Sequence, residues 1–343
     1  MEARALRFHG VGDLRDEYVE LNPLDAGEVL IGVEACGVCG SDYHFLDGSA
    51  RTGQLPVTLG HEIAGVVISS RDRFWEPGDE VVVAAGVTCG ECRMCSDDRE
   101  DLCERLLMTG IDFDGGLASH VIVPSTALMA RPSNLIPEVA ATAVDAGATA
   151  YHAAVCKAGV RDGDSVLVIG AGGLGSFAIQ IAKSKGAAPV IAADRDEAAL
   201  DRAERLGADE VILVEAGTSV GRTAKLMTNG GVDVALEFVG RAATVDAAVK
   251  SLRPGSAAIV AGIGREPLVT LPPVLWATNE YALVGSFGSH RRDAEKVLAL
   301  LADGSLETPS IETVPADSAL DRILAAASGQ SLPQGRLIVH FGS

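Results

Sequence analysis

The chain has 343 residues, 48% hydrophobic and 22% charged, with a formal net charge of −19. At about 150 residues per domain this is a two-domain length, and the composition is that of a globular protein with ample apolar material for its cores. A surface this acidic repels nucleic acid and anionic membranes, which sets both aside as partners.

The first residues, MEARALRFHG, carry charge at once and lack the apolar core of a signal peptide. The longest uncharged run, 165–182, holds four glycines and reads as strand, turn and helix rather than as a bilayer span. The expectation is a cytoplasmic protein whose seven cysteines are reduced. Clustered thiols in that compartment point to metal or catalysis.

Up to about residue 145 the chain is β-rich. EVLIGVEA (28–35), IAGVVIS, EVVVAA and HVIVP are short β-branched runs bounded by Gly, Pro and charge. Such runs with irregular connections predict a barrel-like or partly open β-domain. Within it, VEACGVCGSDYH (33–44) sets Cys36 and Cys39 three apart, a spacing that suits a redox pair and a metal site equally. TLGHEIAG (58–65) adds His61 and Glu62. Spacing alone leaves a Cys39–His61 site open, since each residue has an ordinary reading as core or solvated surface.

Further on, CGECRMCSDDREDLC holds Cys89, Cys92, Cys95 and Cys103. Four thiolates in one short loop can close a tetrahedron around zinc with no vacancy, which makes such a site structural. An iron–sulfur cluster is the rival. Buried unliganded cysteines fit poorly, because SDDRED is too polar for a core.

From about residue 150 the texture changes. SVLVIG (165–170), PVIAAD (189–194), EVILV (210–214), VDVALEF (232–238), SAAIVAG (256–262) and ALVGSF (282–287) are near-continuous apolar runs separated by helical stretches. That alternation predicts a doubly wound parallel sheet, the α/β Rossmann type. Gly170, Gly172 and Gly175 complete G-x-G-x-x-G at the first strand's end, with Gly173 and Leu174 inside the same turn. The glycines permit a tight turn, approach of a pyrophosphate, and close helix–strand packing, and the helix N-terminus favours the phosphates. Asp194 closes the next strand, where a carboxylate accepts ribose hydroxyls. NAD is therefore expected over NADP, although the adjacent Arg195 could accommodate a phosphate.

Taken together, CGVCGSDYH, the GHE histidine 22 residues after Cys39, the four-cysteine lobe and GAGGLG, in this order along nearly the whole chain, resemble the zinc-dependent medium-chain alcohol dehydrogenases. The resemblance implies a GroES-like catalytic zinc domain over 1–149 and 287–343, with the structural zinc lobe at 86–106, and a dinucleotide domain over 150–286. It implies two zinc ions per chain, the catalytic one on Cys39, His61 and Asp145. Many relatives carry cysteine at the third position, but bacterial secondary-alcohol dehydrogenases also use aspartate, and zinc accepts a carboxylate. Glu62 matches a residue able to approach the metal. Ser41 and His44 resemble the proton relay, and Asp42 a carboxylate that orients the histidine ligand. Thr149, Ile263 and Arg291 fall where relatives meet the cofactor or line the pocket.

The family activity is reversible hydride transfer between an alcohol and NAD, giving a ketone or aldehyde, in a homodimer or homotetramer. Ala85 stands four residues before the first lobe cysteine, where many primary-alcohol relatives have an aromatic residue, and so leaves room for secondary alcohols. Phe113 and Trp276 are pocket candidates that read equally well as core. The CGSDYH motif also resembles polyol and threonine dehydrogenases.

Overall fold

The computed structural model describes residues 1–268, 271–331, 333 and 335–341. The chain forms two units, one of Met1–Asp145, His290–Asp303 and Ser310–Ser343, the other of Ala146–Ser289 and Gly304–Pro309.

The first unit opens with β1 (Glu2–Gly10), β2 (Asp13–Glu20) and β3 (Glu28–Val38). It continues with β4 (Val57–Thr58), β5 (Glu62–Ser70), β6 (Glu80–Val83), β7 (Gly86–Val87), β8 (Leu107–Met108), β9 (His120–Pro124) and β10 (Leu128–Ala130). Strand β3 shows why this segment is a strand and where it belongs. Its alternation buries Val29, Ile31, Val33 and Ala35 on one face. From Cys36 to Val38 every residue is buried, so both faces of the strand are covered there. The main sheet runs β10-β6-β5-β3, with β9 also on β3, and β2-β1-β4 and β7-β8 form smaller sheets.

In the second unit lie β11 (Val166–Ile169), β12 (Val190–Asp194), β13 (Glu210–Leu213), β14 (Val232–Glu237), β15 (Leu252–Val260) and β16 (Ala282–Gly285). Their order is β13-β12-β11-β14-β15-β16, and every pairing is parallel. All four residues of β11 are buried, as a strand covered on both faces demands. The strand order reverses between β11 and β14, which opens a crevice at the carboxyl ends of these two strands. This is the doubly wound sheet the apolar runs predict.

The chain then returns to the first unit. There β17 (Ile311–Pro315) pairs parallel with β18 (Arg336–His340), and β18 pairs antiparallel with β3. Leu337 faces Val38 in that register, which brings the start of β18 beside the end of β3. No described helix is long and apolar enough to cross a membrane.

Candidate catalytic site and metal centres

Strand β3 ends where the backbone turns into the short helix Gly40–Leu46, with Cys39 at its extended N-cap. The Asp42 carboxylate accepts the Cys39 N–H at 2.8 Å, so the helix start fixes the direction of the thiol. In the β3–β5 register Gly37 faces Glu62, which carries His61 and Glu62 to the same end of the sheet. A Cβ on Gly37 would lie 2.0 Å from Glu62 Oε2, so only glycine lets the carboxylate fold across the strand. Asp145 comes from a π-helical turn at 143–147, a distortion that often re-aims side chains at functional sites.

These elements converge. Cys39 Sγ lies 3.3 Å from Asp145 Oδ2, and His61 Nε2 lies 3.5 Å from the same oxygen. Donor atoms of Cys39, His61, Glu62 and Asp145 all fall within 4.8 Å of one another. Sulfur, nitrogen and oxygen ligands placed tetrahedrally on zinc would stand about 3.3–3.6 Å apart. The set therefore fits zinc with three protein ligands and a fourth position open.

Charge supports the fit. Burial favours the neutral ring of His61, yet its hydrogen bonds to Asp145 and Cys39 prevail and raise its pKa well above the ordinary value. Cys39 and Asp145 thus make this a point that favours positive charge. Burial pushes the Asp42 carboxyl up, and it pushes the fully buried Cys36 thiol far up. Cys36 donates to the Gly37 carbonyl at 3.6 Å and is not among the residues whose donor atoms gather in the cluster.

Arg336, at the start of β18, drew no attention in the sequence. It is 6% exposed and donates from Nε to Glu62 Oε2 at 2.7 Å. Its Nη2 meets the other Glu62 oxygen and approaches Asp145 Oδ2 at 3.4 Å. A guanidinium behind the cluster offsets the buried Glu62 and the part-buried Asp145 carboxylates, which would otherwise repel each other. The only signal was an arginine opening the apolar run GRLIVHF.

The four-cysteine lobe lies in the same unit. Its sulfurs are 3.9 Å apart for Cys89–Cys95, 3.5 Å for Cys92–Cys95, 3.9 Å for Cys92–Cys103 and 3.4 Å for Cys89–Cys103. None is in a disulfide. Zinc–sulfur bonds of about 2.3 Å put tetrahedral thiolates about 3.8 Å apart, so the lobe fits a closed zinc site. The Glu91 backbone N–H holds Cys89 down to about 6, whereas burial and Cys92 push Cys95 up to about 12.

In the second unit the glycine turn has the expected division of labour. Gly170 has φ +92°, a Cβ on Gly175 would stand 1.9 Å from the Gly170 carbonyl oxygen, and a Cβ on Gly172 would point into open space. Gly173 and Leu174 open the helix Gly173–Ser184. Asp194 accepts the N–H groups of Ala171 at 2.7 Å, Arg195 at 2.7 Å and Asp196 at 3.0 Å. Its carboxylate is thus locked at the edge of the phosphate turn, while Arg195 is exposed.

Other expected residues take these positions. Ser41 and His44 are three apart on the Gly40–Leu46 helix and so share a face. His44 Nδ1 lies 2.9 Å from Ser49 Oγ. The Asp42 oxygen not used by Cys39 and the His61 Nδ1 are both buried without a hydrogen-bond partner among the described residues. Thr149 is buried in the helix Ala148–Tyr151, and Ile263 is 59% exposed. The Arg291 guanidinium donates to Glu295 and to the carbonyls of Thr126 and Leu128. Phe113 packs on the first unit's core and Trp276 on the second's, with Trp276 Nε1 donating to the Leu271 carbonyl at 3.1 Å. Ala85 is buried.

Residues 25–133 match the family description "Alcohol dehydrogenase GroES-like domain" and residues 173–303 match "Zinc-binding dehydrogenase". The chain is 32% identical over 337 residues to an NAD-dependent alcohol dehydrogenase of Sulfurisphaera tokodaii, covering 93% of this chain and 96% of that one. It is 29% identical to a sorbitol dehydrogenase of Bacillus subtilis, covering 90% and 89%. A zinc-binding dehydrogenase structure from Sinorhizobium meliloti, bound to NADP, superposes with a TM-score of 0.91 at 30% identity, covering 99% of both chains. With both domain types, both cysteine clusters and the glycine turn in agreement, this chain belongs to the zinc-dependent medium-chain alcohol dehydrogenase family.

Proposed function

We propose that the protein oxidises alcohols, secondary ones foremost, to ketones or aldehydes with NAD, reversibly. The observation that carries this reading is the convergence of Cys39, His61 and Asp145 on one point, as a thiolate, an imidazole and a carboxylate. Three ligands leave one position for substrate, which is the arrangement of catalytic rather than structural zinc. When bound, zinc supplies Lewis acidity that eases loss of the alcohol's proton, and NAD supplies the hydride acceptor.

The protein's own residues do the rest. Cys39, His61 and Asp145 would hold the ion, and Arg336 keeps the buried Glu62 charge and the part-buried Asp145 charge compatible. Glu62 stands as a reserve ligand within reach of the same point. The open oxygen of Asp42 is available to the Nδ1–H of His61, which would present Nε2 to the ion. Ser41 and His44, the latter with a side chain 40% exposed, form the route by which the alcohol's proton reaches solvent, the Ser41 hydroxyl releasing its own proton as it accepts one. Gly170 to Gly175 seat the pyrophosphate, and the fixed Asp194 carboxylate disfavours the extra phosphate of NADP. Ala85 leaves volume for a second carbon substituent. The family resemblance favours a homodimer or homotetramer, which light scattering reads.

A polyol substrate is the second reading, supported by the sorbitol dehydrogenase relative. The test is NADH formation on 2-butanol, ethanol, sorbitol and threonine with zinc measured on the same sample. Fastest turnover on 2-butanol is expected. Preference for sorbitol moves the assignment to polyols, and no turnover on any alcohol contradicts the reading.

A further inference from the structure

Glu237 is a carboxylate that none of the chemistry above uses. It ends β14 at the strand-order reversal and is fully buried, an expensive place for a charge unless donors surround it. Donors do surround it. Oε1 accepts the N–H groups of Val239 at 2.8 Å and Gly240 at 2.9 Å, and Oε2 accepts Gly240 again at 3.1 Å. The Thr244 hydroxyl donates to Oε1 at 2.7 Å, and the Glu237 carbonyl accepts the N–H groups of Ala261 and Gly262. One residue therefore anchors both the loop after β14 and the loop after β15.

Those loops lie against the phosphate turn with no room to spare. A Cβ on Gly170 would stand 2.9 Å from the Val239 side chain. A Cβ on Gly262 would stand 2.1 Å from the Gly240 nitrogen, and one on Gly264 would stand 1.8 Å from its carbonyl oxygen. Yet two apolar side chains on this rigid floor face outward, Val239 at 39% and Ile263 at 59% exposed. Exposed aliphatic groups on a loop fixed from beneath by a buried charge make a preorganised wall for a flat ring.

We propose that Glu237 is a positioning residue for the dinucleotide, holding Val239 and Ile263 as the apolar wall against which one of its rings packs. This rests on the reading that the second unit binds NAD. The effect passes through the loop, since the carboxylate is fully buried beneath it.

NADH titrations followed by fluorescence on the wild type, Glu237→Gln, Thr244→Val and Thr244→Ser test it, with KM for alcohol at saturating NAD and Tm alongside. Glu237→Gln turns an amide N–H₂ toward backbone N–H groups and should weaken NADH binding about tenfold, and Thr244→Val about threefold, as losses of charge-assisted bonds do. Thr244→Ser should restore wild-type binding, and KM for alcohol should not move. Unchanged NADH affinity in Glu237→Gln, whatever its Tm, overturns the proposal. If Glu237→Gln does not fold, equal NADH affinities for Thr244→Val and Thr244→Ser overturn it. A wild type that binds no NADH overturns the dinucleotide reading itself.

Discussion

The two cysteine-bearing clusters of the first unit are built on opposite principles. The lobe draws Cys89, Cys92, Cys95 and Cys103 from one stretch of chain, and its sulfurs complete a shell by themselves. The other cluster draws Cys39, His61 and Asp145 from segments far apart in sequence and is backed by the buried Glu62–Arg336 pair. A local, saturated cluster can only hold a loop together. A long-range, unsaturated one leaves a coordination position for chemistry, and it needs the whole β-fold to exist.

That contrast predicts which property each substitution moves. His61→Ala should lower kcat/KM on 2-butanol by at least about a thousandfold, the scale of several kcal/mol of lost charge stabilisation, while NADH still binds. Near-normal turnover would dissolve the distinction. Arg336→Met leaves Glu62 buried without its partner and should destabilise the fold by about 3–5 kcal/mol. Denaturant titration checks this, and Glu62→Gln added to Arg336→Met should recover most of the loss. Cys103→Ala should act the other way from His61→Ala. It should lower Tm by roughly 5–10 °C as the lobe loses its ion, with turnover largely kept at low temperature. Equal losses of activity in the two variants would mean that the lobe is not merely structural. Smallest of all, Cys36→Ser should cost roughly 1–3 kcal/mol for a buried hydroxyl and leave turnover nearly unchanged.

The same contrast explains what could be read from the sequence. The lobe, the glycine turn and the six apolar strands are local patterns, and the chemistry each requires is written in consecutive residues. Asp145 was legible only through resemblance, since nothing local marks an aspartate in AATAVDAGATAYHAA. Arg336 was not legible, because its meaning depends on β18 returning to pair with β3 in a register that sets Leu337 opposite Val38. Glu237 looked like an ordinary strand end, since its partners Val239, Gly240 and Thr244 declare themselves only once the loop closes. For Asp42, the expected contact with His61 is not made. One carboxylate oxygen caps Cys39, and the other, like His61 Nδ1, is buried without a hydrogen-bond partner among the described residues.

The most direct test of this account is zinc content measured together with turnover for the wild type and Asp145→Ala. The wild type should carry two zinc ions per chain and Asp145→Ala one, with no alcohol-dependent NADH formation and a nearly preserved Tm in the variant. Two zinc ions and wild-type turnover in Asp145→Ala would contradict it.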